Sequence, residues 1–381
     1  MNTTTEPTTT ITSIAAIFAK MLDQRQPKGV RYPFQALRIL LSLAKLCAND
    51  TPSEIADWVA HRGALLKEKL GLEWPRMPSL STWQRLLGQN IDAAEFDEKV
   101  GAYFRQFPAE ARELLNLDGK AVRGTIAQET EQQLLLLALQ AHETNSVVRQ
   151  TELLAGENEI SAAKRLLAAA NLQDKIVSGD AIFAQQALAR TVVEAGGDYL
   201  WKLKANQGQL YQLAKAHFAQ AADKYLGTAR SVEKGHGRID EREILTSFRV
   251  AGQMAFPYVE QVFRMTRQSE VVKTGKRSEQ TIYGITSLPV GEFGAEELLA
   301  LTRQHWGIEN GLHYRRDVTF KEDSVRQTSK NGGRVLAALN NLTLGVLRKM
   351  GWENIAQARR HYNAWIDEAL NLLMQPLPSL L

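Results

Sequence analysis

Between Tyr32 and Phe107 apolar residues recur at three- and four-residue steps, as in FQALRILLSLAKL and EIADWVAHRGALL, which is the spacing of amphipathic helices. Thr51, with Glu54 three residues later, predicts a capping box at one helix start, and MPSLSTWQRLL predicts a short helix after a Pro-Ser turn. A small helical bundle of this kind either docks on DNA or only packs, and this stretch alone leaves both open. At Leu114 the pattern changes. LLNLDGKAVRG, LLLLALQAHE and NSVVRQTELL read as three consecutive strands, the last two joined by a hairpin at HETNS. NEISAAKRLLAAA then predicts a helix, KIVSGD a strand, AQQALARTVVEAG a helix, DYLWKLK a strand and QLYQLAKAHFAQA a helix. From Gly227 to Leu288 the strand-like runs EREILTSFRV, VEQVFRMTRQSEVV and QTIYGITSL accompany a basic tip, KTGKRSE. From Gly294 the pattern is helical, and Val335, Leu339, Leu342 and Val346 make one apolar stripe.

Three consecutive strands followed by alternating helices and strands predict an α/β fold, and this order is that of the ribonuclease H-like fold. The expected organisation is a disordered polar leader over 1–30, a helical N-terminal domain over 31–110 suited to DNA, and the first part of the core over 111–226. A β-rich insertion over 227–290 and C-terminal helices over 291–381, completing the catalytic core, follow. At 381 residues, 44% hydrophobic and 23% charged, the composition is that of a globular protein with a large core. The single cysteine, Cys47, excludes an internal disulfide framework and a multi-thiolate zinc site, and suits a reducing compartment. MNTTTEPTTTITS lacks the basic and apolar regions of a signal peptide, so a cytoplasmic protein without a membrane span is expected. The net charge of +4 is a weak pointer to an anionic partner, but residues 301–350 carry nine lysines and arginines against four acids, around Glu309.

Asp118 ends the run LNLD and Asp180 ends KIVSGD. In the predicted order the first and fourth strands are neighbours, about 4.8 Å apart, so the two side chains can meet. Bare carboxylates about 4 Å apart repel by roughly 4 kcal/mol at an effective dielectric of about 20, which calls for a proton or a cation. Magnesium takes one or two carboxylates and leaves positions for water and phosphate oxygens. Each aspartate also has a plain reading, Asp118-Gly119 as a hairpin turn and Asp180 as the cap of a helix beginning near Ala184. Glu309 lies in RQHWGIENGLHYRRDVTFKEDSVR, which reads as a helix. At about 100° per residue His305, His313 and Arg316 fall near its azimuth. That face is either a solvated salt-bridged stripe or an acid set among phosphate-binding cations, and periodicity alone does not separate the two.

In order along the chain, LDGKAVRG, NEISA, SGDAIFAQ, EAGGDYLWKLKANQ, HGRID and HWGIENGLHYRRDVTFKED resemble the motifs of bacterial insertion-sequence DDE transposases. The resemblance is to the group containing the H-repeat-associated proteins, of the ISAs type, and runs from about Tyr32 to Gly351. It implies a ribonuclease H-like catalytic core, with Asp118, Asp180 and Glu309 as the catalytic and metal-ligating acids around two magnesium ions, manganese substituting. It implies strand cleavage and strand transfer at one site, on double-stranded DNA at transposon ends and target, by a nucleoid-associated protein, with a homodimer on paired ends. DNA contacts are expected from Lys120 and Arg123, from Lys204 and Asn206 on the rim after the fifth strand, from Arg238 in the insertion, and from His305, His313 and Arg316. Asp317, about 80° from Glu309 on an ideal helix, is expected to be structural or to support a site residue from behind. The chain departs from the family pattern at Phe183, where histidine is common, and at Ala205, where glycine is common. A broader related group has arginine at the place of His305. Two other readings compete: a retained, non-mobile DNA-binding protein with degenerate activity, and a metal-dependent nuclease that cuts without joining.

Overall fold

The computed structural model describes residues 11–108, 111–123, 133–220, 226–235, 237–305, 309–325 and 329–378; the side chains of Glu309 and Asn310 lie outside this description. The N-terminal helices are α1 (Ile14–Ala19), α2 (Phe34–Leu46), α3 (Pro52–His61), α4 (Gly63–Leu70), α5 (Leu80–Arg85) with a π-helical turn at Leu86–Asn90, and α6 (Ala93–Phe104). The capping box starts α3: Glu54 N donates to Thr51 Oγ1 at 3.1 Å and Thr51 N to Glu54 Oε2 at 2.9 Å. The polar leader expected over 1–30 does not extend that far. Ser13 caps α1, and Ile14, Ile17 and Phe18 are buried, Phe18 against Phe96 with ring centroids 5.6 Å apart. The reason is a short apolar stripe at steps of three and one, long enough to dock although too short to stand alone.

The strands and helices that follow are β1 (Glu113–Val122), β2 (Leu134–Ala141), β3 (Ser146–Glu152), α7 (Glu159–Ala168), β4 (Lys175–Gly179), α8 (Gln186–Glu194), β5 (Asp198–Leu203) and α9 (Gly208–Gln220). Next come β6 (Gly227–Gly235), β7 (Arg238–Ser247), β8 (Gln261–Val271), β9 (Arg277–Thr286), α10 (Ala295–His305), π-helical turns at Glu309–His313 and Arg315–Thr319, then α11 (Lys330–Lys349), α12 (Ile355–Ala364) and α13 (Ile366–Met374). The strands form one mixed sheet in the order β3-β2-β1-β4-β5-β9-β8-β7-β6. β1, β4 and β5 run parallel, and the other pairings are antiparallel. The molecule is an α/β protein.

The residues expected to form an insertion continue this sheet, because Tyr283 and Ile285 of β9 bury themselves beside Leu203 and Trp201 of β5. β9 pairs with β5 only from Tyr283 onward, so its residues 277–282 run about 20 Å past the carboxyl end of β5. β6, β7 and β8 accompany it, and the four strands form an arm with Arg238 and Arg277 at its tip. On one sheet face Leu115, Leu117, Val177, Tyr199 and Trp201 pack with α7, α8 and α9. The opposite face of the same strands, with Leu114, Ile176 and Leu200, is covered by α10. α11 to α13 share one core with α1 to α6, so the C-terminal helices join the N-terminal ones and do not only complete the sheet layer. Among the described residues no helix is long and apolar enough to cross a membrane.

Candidate active site

β1 and β4 are parallel neighbours with Leu117 opposite Gly179, so Asp118 and Asp180 are the next residues on each. Strand alternation puts Asn116 and Asp118 of β1 on the face of Ser178 and Asp180, the face that α10 covers. Neither plain reading survives. Asp118 lies inside β1, which continues to Val122, and the Asp180 side chain caps no backbone group of the short helical turn that follows it. Gly179 is needed at the approach, because a Cβ there would stand 2.7 Å from the Trp201 ring and 3.0 Å from Phe183. Phe183, the departure from the family pattern, is thus a core residue beneath the loop.

Asp180 is heavily countered. Lys202 Nζ donates to its Oδ1 at 2.9 Å, His305 Nε2 lies 3.5 Å from the same oxygen, and Lys204 Nζ lies 3.8 Å from Oδ2. The His305 contact, and against the cost of burial the Lys202 charge, hold the Asp180 carboxyl well below the usual carboxylate range. His305 is itself pinned, its Nδ1 lying 2.8 Å from Ser178 Oγ, which donates to Asn116 Oδ1 at 2.7 Å. Asp118 meets a different neighbour. His313 Nδ1 is 3.4 Å from its Oδ2, and burial, reinforced by the Arg316 and Lys120 charges, pushes the His313 imidazole down to about 3. His313 is therefore neutral at pH 7, and its buried Nε2 has no partner among the described residues.

Several expected DNA contacts are placed otherwise. Lys120 is buried and ion-paired with Asp317, with Asp323 at 3.9 Å, so Lys120 is not offered to solvent. His305 is buried beneath Asp180. Arg316 has no exposed surface and is locked to Glu322, Nε to Oε2 at 2.8 Å and Nη2 to Oε1 at 2.7 Å. For Arg316 the physical reason is that 309–313 and 315–319 wind as π-helical turns with i→i+5 bonds, so the azimuths of an α-helix do not apply. Lys204 and Asn206 are exposed beside Asp180, whereas Arg123, also exposed, lies past the end of β1 with its amide donating to Asp323 Oδ1 at 3.1 Å. Arg238 is exposed on the arm, remote from them. Glu309 opens the first π-helical turn, but its side chain lies outside the described residues. Four residues before it His305 touches Asp180, and four after it His313 touches Asp118.

Lys202, Ser178 and Asn116 were missed in the sequence. Their signal was the two-residue step that carries a polar side chain onto the face of each aspartate. The donor set suits a hard divalent cation: carboxylate oxygens from neighbouring chain segments, with side chains 30% exposed at Asp118 and 43% at Asp180. Among the described residues no three ligating side chains gather, so any third ligand must come from outside them.

Residues 118–344 match the family described as Transposase DDE domain, a match that begins at Asp118, and residues 15–104 match the one described as DDE_Tnp_1-associated. YncI of Escherichia coli O157:H7, which bears a provisional transposase name, is 25% identical over 346 residues, covering 89% of this chain and 88% of its own. An uncharacterized protein in the dhlA 3′ region of Xanthobacter autotrophicus is 34% identical over 218 residues, 55% of this chain and 72% of its own. YhhI of Escherichia coli (strain K12), provisionally named an H repeat-associated transposase, is 24% identical over 336 residues, 85% of this chain and 87% of its own.

Proposed function

The chain belongs to the transposase DDE domain family, in the group of the H repeat-associated proteins, and from that premise we propose that it cleaves DNA and joins strands at insertion-sequence ends. The observation that carries this reading is the bracketing of the aspartates: His305 on Asp180 and His313 on Asp118, each four residues from Glu309. The strand order β3-β2-β1-β4-β5, with β1, β4 and β5 parallel, supports a ribonuclease H-like core.

In this reading Asp118, Asp180 and Glu309 hold two divalent ions, magnesium or manganese. When bound, such a pair activates water or a DNA 3′-hydroxyl and stabilises the leaving oxygen. The chain's own residues prepare the site. Lys202 and His305 keep Asp180 ionised and hold its Oδ1 between them. Neutral His313 steadies Asp118 without adding a charge that would compete with a cation. Lys204 and Asn206 stand beside Asp180 as exposed phosphate donors, Arg123 offers another past the end of β1, and Arg238 extends backbone contact along the arm.

Asp180→Asn removes a ligand and no phosphate contact, so it abolishes magnesium-dependent strand cleavage while duplex affinity stays within about threefold. Cleavage of labelled donor DNA, with affinity measured alongside, checks this; undiminished cleavage would remove Asp180 from the site. Incubating a pre-cut end with target DNA separates a transposase from a nuclease, since only the former yields joined product.

A further inference from the structure

A second basic feature lies away from the aspartates, in the N-terminal helices. An open cleft of about 700 Å³ runs between the 24–33 loop and the start of α5 with its π-helical turn. Arg25, Lys28, Arg31, Arg76 and Arg85 line it, with no aspartate or glutamate among its lining residues. Arg25 is held by Asp23 at 2.7 Å and by the Tyr32 carbonyl, and Arg85 by the Ser81 carbonyl. Lys28, Arg31 and Arg76 are exposed, and among the described residues their side chains have no hydrogen-bond or ion-pair partner.

The cleft is built, because Tyr32 joins its two walls, donating from its hydroxyl to the Arg76 carbonyl at 3.2 Å and packing edge-on to Trp74. Its floor is tied to α11: Asn331 Nδ2 donates to the carbonyls of Leu87 and Ile91 at 2.8 and 2.9 Å. Six residues of chain, at most about 20 Å, lead from Asp323, which bonds the Arg123 amide, to Ser329 at the head of α11. Cations of one sign in a concave wall repel one another and focus their field outward, a cost that an extended polyanion relieves. Ser79, Ser81, Thr82 and Gln89 beside them add hydroxyl and amide donors of the kind that phosphate oxygens accept.

We propose that this cleft is a second DNA contact, gripping duplex by its phosphate backbone through Lys28, Arg31 and Arg76 while the aspartates engage the reacting strand. The proposal rests on DNA being the partner of the chain.

The test measures binding of the full chain to a labelled duplex of about 30 base pairs across a salt series, since each neutralised phosphate contributes about 0.9 to the log–log slope. The triple variant Lys28→Gln/Arg31→Gln/Arg76→Gln lowers that slope by about 2.7 and weakens binding at least tenfold at about 0.1 M salt. Arg76→Gln alone lowers it by about 0.9 and serves if the triple variant fails to fold. Lys164→Gln/Arg190→Gln/Lys215→Gln removes three exposed cations from α7, α8 and α9 and leaves the slope unchanged. Wild-type slope and affinity in the cleft variants, or an equal loss in the control, overturns the cleft and leaves the aspartate reading intact. No duplex binding by the unaltered chain overturns both. Polyglutamate that binds the unaltered chain but not the cleft variants, while the duplex slope is the same in both, assigns the cleft to acidic peptide and overturns the proposal.

Discussion

His305 makes the joint between the two parts of the site, since it ends α10 and yet reaches a β-strand acid. One ring nitrogen lies on Ser178 and the other on Asp180, while Glu309 follows four residues on. Removing the ring leaves the Asn116–Ser178 pair intact but frees Asp180 to turn wholly toward Lys202, 2.9 Å away. If Asp180 holds a metal as proposed, His305 positions it, and outer partners of metal ligands are worth about 10–100-fold in metal affinity. His305→Ala is expected to raise the magnesium concentration for half-maximal cleavage by about that factor, with duplex affinity unchanged and His305→Gln recovering part of the loss. A lower thermal midpoint with an unmoved magnesium midpoint would reduce His305 to ordinary packing. At this scale the aspartates were legible, because each closes an apolar strand run. The burial of Lys120, His305 and Arg316 was not, since a cation among cations reads as surface until its acid is known. The acids of Lys120 and Arg316 lie 197 and 6 residues away in sequence, at Asp317 and Glu322.

Between α10 and α11 the chain makes π-helical turns, and what fixes them is tertiary. Arg316 and Glu322 form a buried bidentate pair, Asn340 on α11 donates to Glu322 at 2.8 Å, and a Cβ on Gly311 would stand 2.7 Å from Asn145 Oδ1. Breaking such a pair from one side strands a buried charge, at a cost of about 3–5 kcal/mol, whereas replacing both partners by apolar groups is often close to neutral. Glu322→Leu is thus expected to destabilise by about that amount in urea unfolding, and Arg316→Met/Glu322→Leu to recover more than half. Equal losses in the two would mean that shape, not charge, holds the segment. If the pair also fixes the winding, the double variant regains stability while cleavage stays low. Elements were readable where both faces are buried and the strand is a nearly continuous apolar run, as in β1, β2, β4 and β5. β6 was missed because most of its residues are exposed, which erases the alternation, and the π-turns were read as α-helix because contacts with Asn340 and Gln150 are invisible in the local pattern.

The division of the chain into sequential blocks fails at the largest scale, because the first and last helices share a core and a buried charge cluster. Asp50, at the head of α3, takes Lys45 of α2 at 2.6 Å and Arg359 of α12 at 2.7 Å. Arg359 also donates to the carbonyl of Thr319, the last residue of the second π-helical turn, at 3.2 Å. One acid thus offsets two buried cations and, through one of them, anchors the far end of the segment that carries Glu309. Contacts spanning about 300 residues leave no periodic trace, so the sequence pattern alone gives no sign that α2 and α12 open together. Asp50→Asn keeps the shape but leaves Lys45 and Arg359 facing each other, which should cost about 3–5 kcal/mol. Hydrogen exchange on the intact chain is the measure: amides of α2 and α12 should share one opening free energy and lose protection together in the variant. Faster exchange confined to α12 would mean that the N-terminal helices stand alone, and the anchor on Thr319 would then be local. If both helices loosen, cleavage should fall although no DNA contact has changed, because the chain on either side of Glu309 is held at one end by His305 on Asp180 and at the other by this cluster.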